Sequence, residues 1–394
     1  MQFFRDLNLS AFTAGFVAVL VGFTSSVAIV FQAAQAFGAT PAQIASWMWA
    51  LGIGMGLCTV LPSLYYKKPI MVAWSTPGAA VLATAGVTGG FGMAEAVGAF
   101  MVSAALITLC GVTGWFEKVM MRIPVGIASA LLAGVLARFA LSGFAAAQTA
   151  LPLVLLMLLV YLVGRRLLPR YAVVATLLAG VAYSAFRGEL AWSSVSFTFT
   201  LPVFVMPVFN VGAVISLAIP LFVVTMASQN LPGVAAIQAT GYGGQIPVSK
   251  VITLTGVATF VLAPFGGFAL NLSAITAAIV MGRQAHPDPD KRYTAAVSCG
   301  LIYLVIGVFG AAVTSLLAAF PKELVAAIAG LALLGTIGAG LAAAVKDEAN
   351  REAALITFLV TLSGVVIVSV GSAFWGVVAG ALALFVQQYR SAKT

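Results

Sequence analysis

Apolar runs of about 20 residues, each long enough to cross a hydrocarbon core as a helix, recur along the whole 394-residue chain, separated by short polar or basic breaks. They predict fourteen spans: 11–33, 42–62, 69–86, 94–115, 124–144, 150–168, 171–186, 211–229, 248–263, 265–282, 293–318, 322–343, 352–369 and 372–389. Continuous runs of this length replace the alternating segments of a transmembrane barrel, so the pattern predicts an all-α polytopic membrane protein. The longest stretch outside the spans, 187–210, divides them seven and seven. Within it, 193–200 alternates polar and apolar residues and predicts a small extracytoplasmic strand. An odd number of spans in each half inverts the second half relative to the first, giving repeats over 1–190 and 211–394 joined by a linker at 191–210. The first apolar run reads as a span and not as a cleavable signal, being too long and without a small-residue cleavage site.

Two spans, the third and the tenth, are broken in the same way. Residues 69–80 read Pro-Ile-Met-Val-Ala-Trp-Ser-Thr-Pro-Gly-Ala-Ala, and 264–276 read Pro-Phe-Gly-Gly-Phe-Ala-Leu-Asn-Leu-Ser-Ala-Ile-Thr. In each, an extended apolar piece leads into a helix start. Ser75 and Asn271 lie 196 positions apart, against a half-length of 197. Weaker echoes at nearly the same offset are Ile123-Pro124 with Phe320-Pro321 and the segments around Gln35 and Gln238. Broken apolar segments at matching places in two halves point to the substrate site of a secondary transporter.

A half-helix that starts inside the membrane leaves its first N–H groups unpaired and carries partial positive charge there, which makes an anion site. Ser75 or Thr76 is placed to cap the first half-helix, with Pro77 at its first position and Gly78 following. Asn271 or Ser273 is the corresponding cap in the second. The extended pieces are expected to pair as short antiparallel strands, since lipid satisfies no backbone group. Trp74 forms either an aromatic wall or packing bulk. Polar clusters at Thr24-Ser25-Ser26 in span one and Ser228-Gln229-Asn230 at the end of span eight occupy corresponding places and are expected to flank the same cavity.

Composition narrows the chemistry. With 62% hydrophobic and 7% charged residues and a mean hydropathy of +1.12, a soluble domain is excluded. The net charge of +9 is no nucleic-acid signal, because the basic residues sit in short loops. With the N-terminus inside, residues from Arg5 and Lys67 to Arg390 and Lys393 fall on the cytoplasmic side, and Arg187 and Lys322 fall outside, so both termini are expected in the cytoplasm. Cys58, Cys110 and Cys299 have unrelated spacings inside apolar runs, suggesting neither zinc nor disulfides. The glycines of Gly52-Ile-Gly54-Met-Gly56 read as helix-packing residues. No acidic residue falls at the centre of a predicted span; Glu95 stands near the outer end of the fourth. Arg138, within the fifth, is either a functional intramembrane charge or a side chain reaching the outer interface. His286 belongs to a loop expected to be solvated. No metal cluster, cofactor motif or nucleophile–base pair is visible, which argues against an enzyme. Paired helix starts, hydroxyls, amides and an aromatic without a fixed carboxylate suit an anionic organic solute.

The segments 73–80 (Ala-Trp-Ser-Thr-Pro-Gly-Ala-Ala), 224–230 (Val-Thr-Met-Ala-Ser-Gln-Asn), 285–288 (Ala-His-Pro-Asp) and 371–376 (Gly-Ser-Ala-Phe-Trp-Gly) carry a resemblance over essentially the whole chain. The sequence resembles the benzoate transporter family of bacterial inner-membrane proteins, proton-coupled symporters distantly related to nucleobase and sulfate-type transporters. The resemblance implies a seven-plus-seven inverted repeat with a core domain, about 1–116 and 211–319, and a gate domain, about 117–190 and 320–394. It also implies an elevator-like movement of the core past the gate, and dimers through the gate. Nucleobase relatives place acidic residues in span eight and before the tenth half-helix, where this chain has Ser228-Gln229 and Leu270-Asn271. The difference fits an anionic substrate and leaves Glu95 and His286 as the accessible proton carriers, unless the substrate carries its own proton. The expected activity is import of benzoate or a similar aromatic carboxylate, with protons as the coupling ion. The alternatives are a nucleobase or inorganic-anion transporter, or an anion channel.

Overall fold

Helix occurs in every predicted apolar segment of the computed structural model, which describes residues 2–24, 26–114, 116, 124–167, 172–190, 199–273, 275–282, 285–310, 312, 319–367 and 372–391. In chain order the helices are α1 (Gln2–Asp6), α2 (Leu9–Thr24), α3 (Val27–Ala36), α4 (Pro41–Tyr66), α5 (Thr76–Gly89), α6 (Met93–Thr113), α7 (Val125–Ala145), α8 (Ala147–Leu167) and α9 (Ala172–Phe186). They continue as α10 (211–239), α11 (Val248–Leu262), α12 (Ile275–Val280), α13 (Tyr293–Val308), α14 (Lys322–Val345), α15 (Arg351–Ser363) and α16 (Ser372–Ser391). Six helical stretches among the described residues are long and apolar enough to cross a membrane unaided. Leu155, Leu159 and Leu162 on α8 are among the large apolar side chains left exposed, as a lipid-facing surface requires.

Local chemistry sets the helix ends. Thr40 and Gln43 form a reciprocal capping box at the start of α4, with Pro41 inside it. Glu95 Oε2 accepts the Gly92 N–H at the start of α6. Gly90 and Gly114 end α5 and α6 in the left-handed region.

Two breaks go beyond the sequence expectation. Span one divides into α2 and α3, and Ser26 at the junction has a non-helical backbone. Its hydroxyl donates back to the Gly22 carbonyl at 2.9 Å, taking up an oxygen freed by the interruption. Span eight, α10, contains two π-turns, Val214–Ala218 and Met226–Asn230. Such turns insert a residue into the helical ladder and re-aim the side chains beyond it.

The expected strands are present. β1 (Val72–Trp74) pairs antiparallel with β2 (Leu270–Leu272), setting Ala73 opposite Asn271. Bonds from Ser75 N–H to Ala269 O and from Ser273 N–H to Met71 O extend the ladder at both ends. Side chains satisfy other strand N–H groups: Thr59 Oγ1 accepts from Val72 at 3.2 Å, and Thr259 Oγ1 from Leu270 at 3.1 Å. Ser63 serves both backbone groups of Ile70.

Among the larger helix pairings, α4 lies on α13, α6 on α11, α7 on α14, α8 on α9 and α15 on α16. The α4–α13 contact is close enough that a Cβ on Gly52 would stand 2.5 Å from the Gly307 Cα, so the small-residue run does pack helices. Residues 199–210 lie across helix ends, with Val203 N–H donating to Ser46 Oγ, Val205 N–H to Pro264 O and Val208 N–H to Ala94 O. Most of the strand predicted at 193–200 lies outside the described residues; 199 and 200 are not in a strand.

Candidate functional site

The start of α5 is where the predicted residues converge. Ser75 is the cap: its Oγ accepts the Gly78 N–H at 3.1 Å while Thr76 begins the helix, so Pro77 stands at the second helical position and not the first. Ser75 is fully buried, and its hydroxyl also accepts a hydrogen bond from Thr225 of α10 at 3.0 Å. A Cβ on Gly78 would lie 2.6 Å from Leu221 Cδ1, so glycine there lets α10 press against the helix start. Past Thr225, the π-turn Met226–Asn230 turns Asn230 toward β2. Asn230 is buried; its Oδ1 accepts the Leu272 N–H at 2.9 Å, and its amide nitrogen lies 3.1 Å from Met226 Sδ. Gln229 is partly exposed. Ser228 Oγ is buried without a hydrogen-bond partner among the described residues.

The second broken span is not a copy of the first. Asn271 lies inside β2, too far from Ile275 to cap α12. Its amide nitrogen donates to Ala269 O at 3.3 Å, and its Oδ1 is buried without a partner among the described residues. Ser273 stands nearer the helix and accepts the Thr276 hydroxyl. Among the described residues α12 spans six residues, against the 14 of α5. Leu270 is core packing, with its N–H held by Thr259.

Trp74 is packing and anchor. It is 4% exposed, its indole N–H donates to Ser26 Oγ at 2.8 Å, and its ring lies 5.4 Å from Phe23. The end of β1 is thereby tied to the break in span one. Ser25 lies outside the described residues.

The two candidate proton carriers are engaged locally. Glu95 caps α6 through Oε2 and accepts from Asn210 Nδ2 through Oε1 at 2.9 Å. His286 is buried, contrary to the solvated loop expected: Asp288 N–H donates to its Nδ1 at 3.0 Å, and its carbonyl accepts from Arg292 Nε at 2.9 Å. Arg292 also bonds the Met281 carbonyl, drawing the loop under the end of α12. Tyr242 closes the same region by donating to Pro289 O at 2.7 Å, and burial pushes its phenol above the ordinary value.

Sequence reasoning missed Thr225, Thr59 and Thr259, and it named Ser26 only as one of a polar cluster, not as the partner of Trp74. Thr225 falls inside a segment quoted for its resemblance and is unremarkable by residue type. Thr59 and Thr259 sit in spans two and nine, at nearly the offset of the broken pair.

The benzoate membrane transport protein (BenE) family profile matches residues 5–386. The chain is 47% identical over 367 residues to inner membrane protein YdcO of Escherichia coli (strain K12), covering 93% of both chains. It is 40% identical over 382 residues to a benzoate membrane transport protein of Acinetobacter baylyi (strain ATCC 33305 / BD413 / ADP1), covering 97% of this chain and 96% of that one. In fold it is similar to the transmembrane domain of a cyanobacterium bicarbonate transporter, BicA, with a TM-score of 0.54 at 15% identity, covering 98% of this chain and 97% of the other. Broken helices, a buried strand pair and these relatives agree, and the chain belongs to the benzoate membrane transport protein family of membrane transporters.

Proposed function

We propose that this protein is a secondary active transporter importing benzoate or a similar aromatic carboxylate across the bacterial inner membrane. The observation that carries the reading is the junction of the α5 start, the Met226–Asn230 π-turn and β2. There, Ser228 Oγ and Asn271 Oδ1 are buried polar atoms without partners among the described residues. Buried polar groups are ordinarily paired, and unpaired ones beside a helix start favour a ligand. The residues named at this junction include no carboxylate that would repel an anion.

The chemistry follows from donors and acceptors. The α5 dipole and its first N–H groups attract the carboxylate. Ser75 Oγ, already accepting from Gly78 and Thr225, keeps its own proton to donate, and Ser228 offers another. Asn271 Oδ1 is an acceptor and suits the proton of a carboxyl group. A substrate that binds as the anion and takes up a proton in the site then carries the coupling proton itself. That route asks less of Glu95, whose carboxylate caps α6, and of His286, whose Nδ1 and carbonyl hold the loop.

The architecture we infer is fourteen spans in two inverted repeats, 1–190 and 211–394. It is supported by the antiparallel strands and by the matched roles of Thr59 and Thr259. The exchange of pairings between halves adds to this: α4 on α13 answers α11 on α6, and α8 on α9 answers α15 on α16. Core (about 1–116 and 211–319) and gate (about 117–190 and 320–394) then move past one another as an elevator, with homodimers through the gate and both termini cytoplasmic.

Uptake of radiolabelled benzoate into proteoliposomes tests the reading. Saturable accumulation driven by an inward proton gradient is expected. Uptake no greater than in protein-free vesicles overturns it, and displacement by uracil or sulfate in place of benzoates reassigns the substrate. Non-saturating flux without accumulation indicates a channel.

A further inference from the structure

A cavity of about 130 Å³ opens between α5 and α7, lined by Ala83, Thr84, Val87, Arg138 and Ser142. Val87, 74% exposed, forms its mouth, and Ala83, 6% exposed, its floor. Arg138 supplies the charge. Its Nη1 is buried with no hydrogen-bond partner among the described residues, and none of the ion pairs among them includes it. Ser142 donates to the Arg138 carbonyl and not to an outside group. Nη1 itself is shut off from solvent; what favours an anion is Arg138 as a cavity-lining cation that no carboxylate among the described residues neutralises.

The Nη1 edge of the guanidinium lies against backbone. Gly364, in the left-handed region just past α15, lies so close that a Cβ there would stand 1.9 Å from Nη1. The adjacent C-terminal end of α15 steadies a cation through its dipole without neutralising it as a carboxylate would. The cavity also shares walls with the candidate site. α5 begins at that site, and α7 packs against both α5 and the 219–230 stretch of α10. From Ser75 to Ala83 the path along α5 is about 12 Å at the helical rise. The volume is well below the roughly 300–1,000 Å³ of sites for drug-sized ligands, which leaves room for one small acid.

We propose that this cavity is a second binding site for an organic monocarboxylate, from which the acid passes along α5 to the helix start. Arg138 forms the ion pair, in the fork-to-carboxylate geometry that guanidinium favours, Thr84 adds a hydroxyl, and Ala83 and Val87 face the apolar body. The ligand class rests on the transport reading above; the site itself rests on the unpaired guanidinium in its cavity.

The test places a cysteine at the exposed mouth, Val87→Cys, and follows its modification by anionic and neutral methanethiosulfonates in the purified full-length protein. Cys58, Cys110 and Cys299 are buried and do not compete. Benzoate is expected to slow the labelling several-fold, including when Asn230→Asp has disabled the helix-start site. Adding Arg138→Gln is expected to abolish this protection. It should also slow the anionic reagent about fivefold relative to the neutral one, as loss of a nearby charge implies; Arg138→Lys should keep that rate advantage. Labelling unaffected by benzoate overturns the second site. If benzoate still raises the melting temperature of the same preparation, the transport reading stands without it; if not, both fall. Protection that disappears with Asn230→Asp assigns the effect to the helix-start site and also overturns the proposal.

Discussion

Thr225 donates its hydroxyl hydrogen bond to Ser75 across 3.0 Å and 150 positions of sequence. One weak polar contact therefore joins the cap of the first half-helix to the span that carries Ser228, Gln229 and Asn230. Thr225→Val keeps the side-chain shape and removes the donor, releasing Ser75 Oγ from one partner while Gly78 N–H still holds it. The expected outcome is a weaker substrate site in a folded protein. The Kd for benzoate, read from concentration-dependent thermal stabilisation, should rise roughly 3- to 30-fold, the equivalent of about one to two neutral hydrogen bonds. Ser75→Ala should lose more, because it also removes a cap worth about 1 kcal/mol.

Thr59 and Thr259 perform one task in opposite halves: each hydroxyl accepts a strand N–H that no neighbouring strand reaches. Both are fully buried. Thr59→Val and Thr259→Val each leave a buried N–H unpaired, a loss of about 1–3 kcal/mol. The melting temperature in detergent should fall by similar amounts for the two. A large loss from one and none from the other would argue against equivalent halves.

Gly266 has φ +93°, and a Cβ there would fall 1.8 Å from Trp47 Cδ1. Gly266→Ala combines backbone strain with overpacking against a side chain that is 2% exposed, on the order of 4 kcal/mol in all. The expected result is loss of folded protein by size-exclusion chromatography. Gly338, with open space around its Cβ position, supplies the control: Gly338→Ala should elute unchanged.

The pattern of apolar runs made the helices legible, and the paired breaks made the strand pairing legible, because both follow from what lipid excludes. Ser75 was readable as a cap from residue type and the proline two positions on. The π-turns in α10 were not. A π-turn is decided by what lies across from it, here α5 and β2, and the residues 226–230 carry no periodic mark of it. Asn271 misled for a related reason: a polar residue near a helix start suggests a cap, yet tertiary pairing with Ala73 places it in the strand. The burial of His286 was equally hidden, since a loop sequence of His, Pro and Asp does not reveal that Arg292 folds it inward.

Asn230 offers the sharpest separation between structural and binding roles. Its Oδ1 holds the Leu272 N–H, a bond that a carboxylate oxygen makes equally well. Asn230→Asp therefore keeps the acceptor on β2 but trades the 3.1 Å contact of the amide nitrogen with Met226 Sδ for a buried carboxylate oxygen, so a size-exclusion profile first checks that the variant is folded. What changes is the field at the helix start, where a fixed negative charge in a low-dielectric site opposes a second one by several kcal/mol. Benzoate binding at neutral pH should drop by at least about 100-fold, which is roughly 2.7 kcal/mol. The sign of the pH response follows: lowering the pH protonates the introduced carboxylate, removes the repulsion and restores affinity. The wild-type protein lacks that added dependence, so the ratio of wild-type to variant affinity should narrow as pH falls. Titrations of benzoate at several pH values, followed by tryptophan fluorescence or thermal shift, would read it. A variant that binds benzoate as tightly as wild type at pH 7 would remove Asn230, and with it the π-turn, from the anion site.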